Sequence, residues 1–331
     1  MNDRHDAIPE AVAIGLAAGN AEKQRVARLS IASNTFLVIA KLSIGLTVGS
    51  VSIISEAIHT GIDLVAAVIA YISVRLSSEP ADEIHSFGHG KFEDISGLAE
   101  AMLIFVAAAL IIYESVRKLF GEAEPLSEDL LLLGIGIMAV SAALNWYVST
   151  RLMDCAKRTE SIALESDAWH LRTDVYTSLG ILAGLGIIRL TGFVWLDPIF
   201  AIAVAAIIIK AAYDLTRRSF SDLLDQQLPE HEVKRIGQII CDHRTAYADF
   251  HGLRTRRGGP ERFVEFHVLL AKDLSVQQAH DLADHLENDI KVEFPRTHVT
   301  IHMEPCEEDC TACEACCNLP RTFCPTQKPE K

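Results

Sequence analysis

The chain has 331 residues, half of them hydrophobic and 22% charged, with a formal charge of −14. That length could hold two soluble domains or one membrane bundle with a modest appendage, but a mean hydropathy of +0.22 beside so many charges points to apolar residues gathered in long blocks. The acidic balance argues against a nucleic-acid partner, and no Ser-His-Asp set, phosphate loop or His-Glu-x-x-His run supports an enzyme.

Residues 1–28 form a polar opening without a cleavable apolar region and small-residue site, so no removed signal peptide is expected. Six apolar blocks follow, at about 29–49, 51–75, 95–116, 130–150, 162–190 and 198–213. Each approaches the ~20 residues that carry a helix across a bilayer. Basic residues flank the blocks unevenly: Lys23, Arg25, Arg28, Arg75, Lys91, Arg151, Lys157, Arg158, Arg217 and Arg218 share one side, against Arg117, Lys118 and Arg189 on the other. The positive-inside rule then puts both termini of a multi-pass membrane protein in the cytosol. Beyond residue 216 the pattern turns soluble. Pro229–Asp242 reads as a helix, Gly252–Arg257 and Arg262–Leu270 as paired strands around a Gly-Gly-Pro turn, Val276–Val292 as a second helix and Thr297–Met303 as a last strand. The expected fold is an α-helical membrane bundle of six transmembrane helices (29–216), a small cytosolic α+β domain of order αββαβ (217–305) and a Cys-rich tail (306–331).

A charge at mid-bilayer costs about 2.5 to 3.5 kcal/mol on insertion scales, so intramembrane ionisable residues mark function by default. The second block carries His59-Thr-Gly-Ile-Asp63 and the fifth His170-Leu-Arg-Thr-Asp174, one spacing used twice. Residues i and i+4 share a helix face. Two such helices facing each other would offer two imidazole nitrogens and two carboxylates, a tetrahedral set that suits Zn²⁺ better than Ca²⁺ or Mg²⁺. The competing reading is of cavity polar residues satisfied by water or a neighbouring helix. Glu56, one turn before His59, is a hydrogen-bond partner of the donors, an extra ligand or an ordinary helix-face acid.

With the stretch from Gly49 to Asp63, the loop His85-Ser-Phe-Gly-His89-Gly-Lys91 and the fifth-block motif, the chain resembles the cation diffusion facilitator family from about residue 25 to Cys306, closest to its bacterial zinc and ferrous-iron efflux branch. The resemblance implies a homodimeric proton antiporter of divalent metal ions with a metallochaperone-like cytosolic domain. One departure bears on selectivity. That branch resembles an Asp-Asp-His-Asp quartet, whereas His59 makes this one His-Asp-His-Asp, as in dedicated zinc transporters, and a borderline nitrogen in place of an anionic oxygen should favour Zn²⁺ over Cd²⁺ and Mn²⁺. Main cargoes of Fe²⁺, Cd²⁺, Co²⁺ or Mn²⁺ stay open, as does a metal-sensing scaffold with little transport.

Further metal candidates lie outside the spans. Asp82, His85 and His89 form a set that could hold an ion near the membrane, with a solvated loop as the alternative; a helical loop would put both histidines on one face, but Gly88 and Gly90 oppose that. His251, His267, His280, His302 and Glu304 match the positions that the resemblance implies for a regulatory Zn²⁺ site, and Lys91 with Asp225 matches an inter-subunit salt bridge. In the tail, Cys306, Cys310, Cys313, Cys316, Cys317 and Cys324 suggest a thiolate metal site rather than disulfides in a reducing cytosol, with an iron-sulfur cluster or merely reactive thiols as alternatives.

Overall fold

The computed structural model describes residues 10–48, 51–120, 128–191 and 196–306. They fall into two compact units, one up to Ser221 and one from Asp222 onward.

The first unit holds six helices: α1 (Glu10–Val48), α2 (Val51–Ser77), α3 (Lys91–Leu119), α4 (Glu128–Thr159), α5 (Ile162–Thr191) and α6 (Leu196–Leu223). Each outruns its apolar block, because the polar residues at the block's ends are themselves compatible with helix. The largest extension is α1, which takes in residues 10–28 of the polar opening. Among the described residues, Ile14–Thr47, Glu56–Ser77, Lys91–Arg117 and Pro198–Leu223 are long and apolar enough to cross a bilayer. On α2 the stripe Ile58, Ile62, Val65, Ile69 and Ile72 is exposed, while Ala66, Ala67, Ala70 and Val74 are buried. Large apolar side chains outward and small ones inward is the pattern of a helix that faces lipid and packs closely on its neighbours.

α1 and α2 approach closely where a Cβ on Gly45 would meet Ile54 N at 3.1 Å and Ile54 Cγ1 at 2.8 Å. Packing of α2 and α3 against α5 forms the middle of the bundle. At one end, Lys23 Nζ and Ser77 Oγ donate to Glu93 Oε1 at 2.7 and 2.6 Å, and the Ser161 hydroxyl donates to Glu93 Oε2. These side chains are buried and tie α1, α2 and α3 to the start of α5.

The second unit runs α7 (Glu230–Asp242), β1 (Asp249–Gly258), β2 (Glu261–Leu270), α8 (Val276–Glu293) and β3 (Thr297–Pro305), the expected αββαβ order. β1 pairs antiparallel with β2, which pairs parallel with β3. One sheet face carries Phe250, Phe266 and Val268 into a core with Ile236 and Ile240 of α7 and Leu286 and Ile290 of α8. Ser275 caps α8, its hydroxyl accepting from Gln278 N while the Gln278 side chain accepts from Ser275 N.

Candidate metal centres

His59 and Asp63 on α2 meet His170 and Asp174 on α5. Donor atoms of His59, Asp63 and Asp174 all lie within 4.8 Å of one another. His170 joins them through Asp63, its Nε2 standing 2.9 Å from Asp63 Oδ1, and His59 Nε2 is 3.8 Å from Asp174 Oδ1. Asp63 and His170 are buried, whereas the His59 side chain is 45% exposed, so the cluster opens on the His59 side. The geometry follows from helix period: a four-residue step returns to the same face, so each helix presents two donors a turn apart. Two nitrogens and two carboxylates at these separations can close on a tetrahedral divalent ion with small side-chain adjustments.

Several partners of this cluster have no motif to announce them. Asn145 on α4 donates from Nδ2 to Asp174 Oδ2 at 3.4 Å. Lys41 on α1, 3% exposed, donates to Glu56 Oε1 at 3.0 Å and to Thr60 Oγ1 at 2.8 Å. Glu56 therefore has a fixed counter-ion one turn from His59. Asp167 and Glu100 are two further buried carboxylates of α5 and α3. The only signal for any of these in the sequence is a polar residue inside an apolar run.

After α2, Asp82, His85 and His89 come together without a helix. Ile84 N and His85 N donate to Asp82 Oδ1 at 2.9 and 2.5 Å, and Gly88, at φ +80°, closes a turn in which its N–H donates to His85 O at 2.9 Å. The turn brings the two imidazoles to 4.4 Å between ring centres and His89 Nε2 to 3.3 Å from Asp82 Oδ2. The backbone donor at His85, followed by that at Ile84, holds the Asp82 carboxyl below its ordinary range, leaving it an anion for a cation to meet.

In the second unit, strand register builds the site. His251 pairs with His267 and His267 with His302, so three imidazoles stand side by side on the sheet face opposite the core, with ring centres 5.0 and 4.9 Å apart. Glu304, two residues along β3 from His302, reaches across them: Oε1 is 2.8 Å from His267 Nδ1 and 3.8 Å from His302 Nε2, and Oε2 is 3.6 Å from His251 Nε2. The hydrogen bond from His267, then the nearby imidazoles, keep the Glu304 carboxyl below the usual range. On α8, His280 Nδ1 lies 3.6 Å from Asp284 Oδ1. Asp225, at φ +56°, accepts from Arg256 Nη1 at 3.3 Å within the second unit, and Lys91 opens α3 in the first. Of the tail cysteines, Cys306 is buried, its N–H donating to Leu270 O at 2.8 Å. Cys310, Cys313, Cys316, Cys317 and Cys324 lie outside the described residues.

A third trio, on α7 and α8, combines His243, His285 and Asp289. No spacing rule selects it, since 42 residues separate the two histidines (285 − 243).

Comparison with known proteins agrees with this architecture. Residues 27–224 match the family described as cation efflux transmembrane domain, and residues 228–306 match the cation efflux protein cytoplasmic domain. The chain is 36% identical over 280 residues to an uncharacterized transporter, sll1263, of Synechocystis, covering 85% of this chain and 89% of that one. It is 32% identical over 286 residues to the cation-efflux pump FieF of Salmonella choleraesuis, covering 85% and 93%. A solved structure of CzrB in its Zn form is 41% identical over 26% of this chain and 97% of that one, with a TM-score of 0.25.

Proposed function

The chain belongs to the cation efflux family, the cation diffusion facilitators, and from that premise we propose that it exports a divalent transition-metal ion, Zn²⁺ foremost, from the cytosol in exchange for protons. The observation that supports this reading is the convergence of His59, Asp63 and Asp174, with His170 on Asp63, between two helices of an apolar bundle. A scaffold would have no use for four donors facing one another there. The efflux direction accords with the relative named a cation-efflux pump.

The exchange follows from ligand chemistry. Imidazole binds metal only when neutral, and its unperturbed pKa of about 6.5 lies near cytosolic pH, so protons and metal compete for one set of atoms. With Zn²⁺ bound, His59 and His170 are deprotonated and Asp63 and Asp174 offset the ion's charge. Opening toward a more acidic outside protonates imidazole and releases the ion. The helices rock about the site while the gradient supplies the direction. In this reading the protein is a homodimer of the inner membrane with both termini cytosolic, and Lys91 and Asp225 pair across its subunits. The sites at Asp82, His85 and His89 and at His251, His267, His302 and Glu304 bind ions that regulate transport.

Proteoliposomes carrying internal Zn²⁺ and pH reporters test the proposal. Wild type should move Zn²⁺ and protons in opposite directions, and Asp174→Ala should move neither. His59→Asp should keep transport and admit Cd²⁺. Zn²⁺ movement without protons would refute exchange, unchanged selectivity in His59→Asp would refute the ligand argument, and a wild type that moves no metal would leave the scaffold reading standing.

A further inference from the structure

The trio on the helical layer of the second unit resembles neither of the clusters outside the membrane in origin or position. His243 is the residue that ends α7, and His285 and Asp289 stand one turn apart on α8. Their donor atoms all lie within 4.8 Å of one another, and the two imidazole centres are 5.0 Å apart. The sheet-face histidines stand on the opposite side of the sheet from the core that α7 and α8 cover.

The hydrogen bonding of His243 decides what this trio can do. Its Nδ1 lies 3.0 Å from Ile239 O, and a carbonyl oxygen only accepts, so Nδ1 carries the proton. The other ring nitrogen, Nε2, is 3.2 Å from Asp289 Oδ2. If the ring is neutral, Nε2 is a lone pair aimed at a carboxylate, and a cation between them would satisfy both acceptors. Backbone anchoring of the far nitrogen is also how metal-binding histidines are oriented and made more basic. His285 supplies the second nitrogen from the adjoining face of α8. The carbonyl end of α7 adds partial negative charge beside the site.

We propose that His243, His285 and Asp289 form a second divalent-metal site of the cytosolic unit, one that takes a borderline ion of the Zn²⁺ or Co²⁺ class and clamps the end of α7 to α8. Two nitrogens and one carboxylate with an open water position match Zn²⁺ and fit Mg²⁺ or Ca²⁺ poorly. The competing arrangement is a protonated His243 paired with Asp289, which would join the same two helices without metal.

Full-length protein in detergent, stripped of metal and dialysed against buffered free Zn²⁺, distinguishes the two. His285→Gln should lose one bound ion per protomer at the free Zn²⁺ that saturates wild type. The pair His251→Gln/His267→Gln should lose a different ion, and all three changes together should lose both. Zn²⁺ should also raise the unfolding temperature of His251→Gln/His267→Gln more than that of the triple variant. His285 is exposed, so its replacement spares the core, and its metal-free melting curve checks this. Zn²⁺ counts and affinities equal to wild type in His285→Gln, or a loss already accounted for by the His251 and His267 changes, overturns the proposal and leaves His243 and Asp289 an ion pair.

Discussion

Replacing Glu56 by Gln removes the carboxylate that faces Lys41 and tests what Glu56 is for. The two partners are unequal: the Lys41 side chain is 3% exposed and that of Glu56 42%. Opposite unit charges about 3 Å apart attract by roughly 5 kcal/mol at an effective dielectric of ~20. Glu56 opens its span, and screening of a half-exposed carboxylate there reduces that attraction toward the ~1 kcal/mol of surface pairs, whereas stripping a buried charge of its partner costs about 3 to 5 kcal/mol. Glu56→Gln strands a buried ammonium that keeps only the Thr60 hydroxyl of these two acceptors, which places its cost between those limits, at roughly 2 to 3 kcal/mol. Lys41→Met strands the more exposed of the two charges, at roughly 1 kcal/mol. The double variant removes both charges and should be more stable than Glu56→Gln alone, a coupling that thermal unfolding of metal-free protein in detergent measures as a double-mutant cycle. Equal costs for the two single changes, or additive costs in the double, would refute the reasoning. As a counter-ion, Glu56 should also leave the KM for Zn²⁺ nearly unchanged when replaced by Gln; a large rise would make it a ligand.

Three further outcomes are expected. Glu232 is buried against Arg257 and Arg262, at 3.0 and 2.8 Å; burial pushes its carboxyl up, but Arg262 and then Arg257 outweigh that and hold it below its ordinary value of 4.5. A carboxyl depressed on folding stabilises above its unfolded pKa and loses that contribution as pH falls through the folded value, so Glu232→Gln should cost about 3 to 5 kcal/mol at neutral pH and flatten the stability loss below about pH 4.5, read by calorimetry. Asn145→Leu removes the donor to Asp174 and should raise the KM for Zn²⁺ about 10- to 100-fold in vesicle transport, the usual effect of losing an outer partner of a metal ligand. Gly88→Ala forces a Cβ onto a backbone at φ +80°, a strain of about 1 to 2 kcal/mol, and should weaken Zn²⁺ binding by the Asp82 loop while Zn²⁺ binding at His251 and His267, followed by equilibrium dialysis, stays as it is.

How much of this could be read from the chain depends on how local each arrangement is. The six helices and the αββαβ unit follow from runs of apolar residues and from strand and helix periods, which involve near neighbours only. The paired His-x-x-x-Asp motifs were legible for the same reason, since one helical turn already aligns each pair. The Asp82 loop shows the limit of that logic: a helix would have aligned His85 and His89, yet a turn at Gly88 does so with the chain reversed. On the sheet face, alignment of His251, His267 and His302 depends on strand register, to which helix and strand periods are blind; family positions pointed to it.

Lys41, Asn145 and His243 were hidden for a stricter reason, and on the proposed function it bears on selectivity. Lys41 reaches Glu56 because α1 and α2 cross where Gly45 leaves no room for a side chain, and Asn145 reaches Asp174 because α4 lies against α5. Neither contact has a fixed spacing, so the donor set can be read as a motif while the charges and hydrogen bonds that tune it cannot. Ligand type alone would then make His59→Asp a complete exchange of selectivity. With Lys41 paired one turn away and Asn145 holding Asp174, the new carboxylate would instead enter a cluster whose charge and orientation are already set by α1 and α4. The selectivity of His59→Asp should therefore shift further toward Cd²⁺ when Asn145 is also replaced, because Asp174 is then free to turn toward a larger ion. Identical Cd²⁺ to Zn²⁺ ratios for His59→Asp with and without Asn145→Leu would show that the four donors set selectivity unaided.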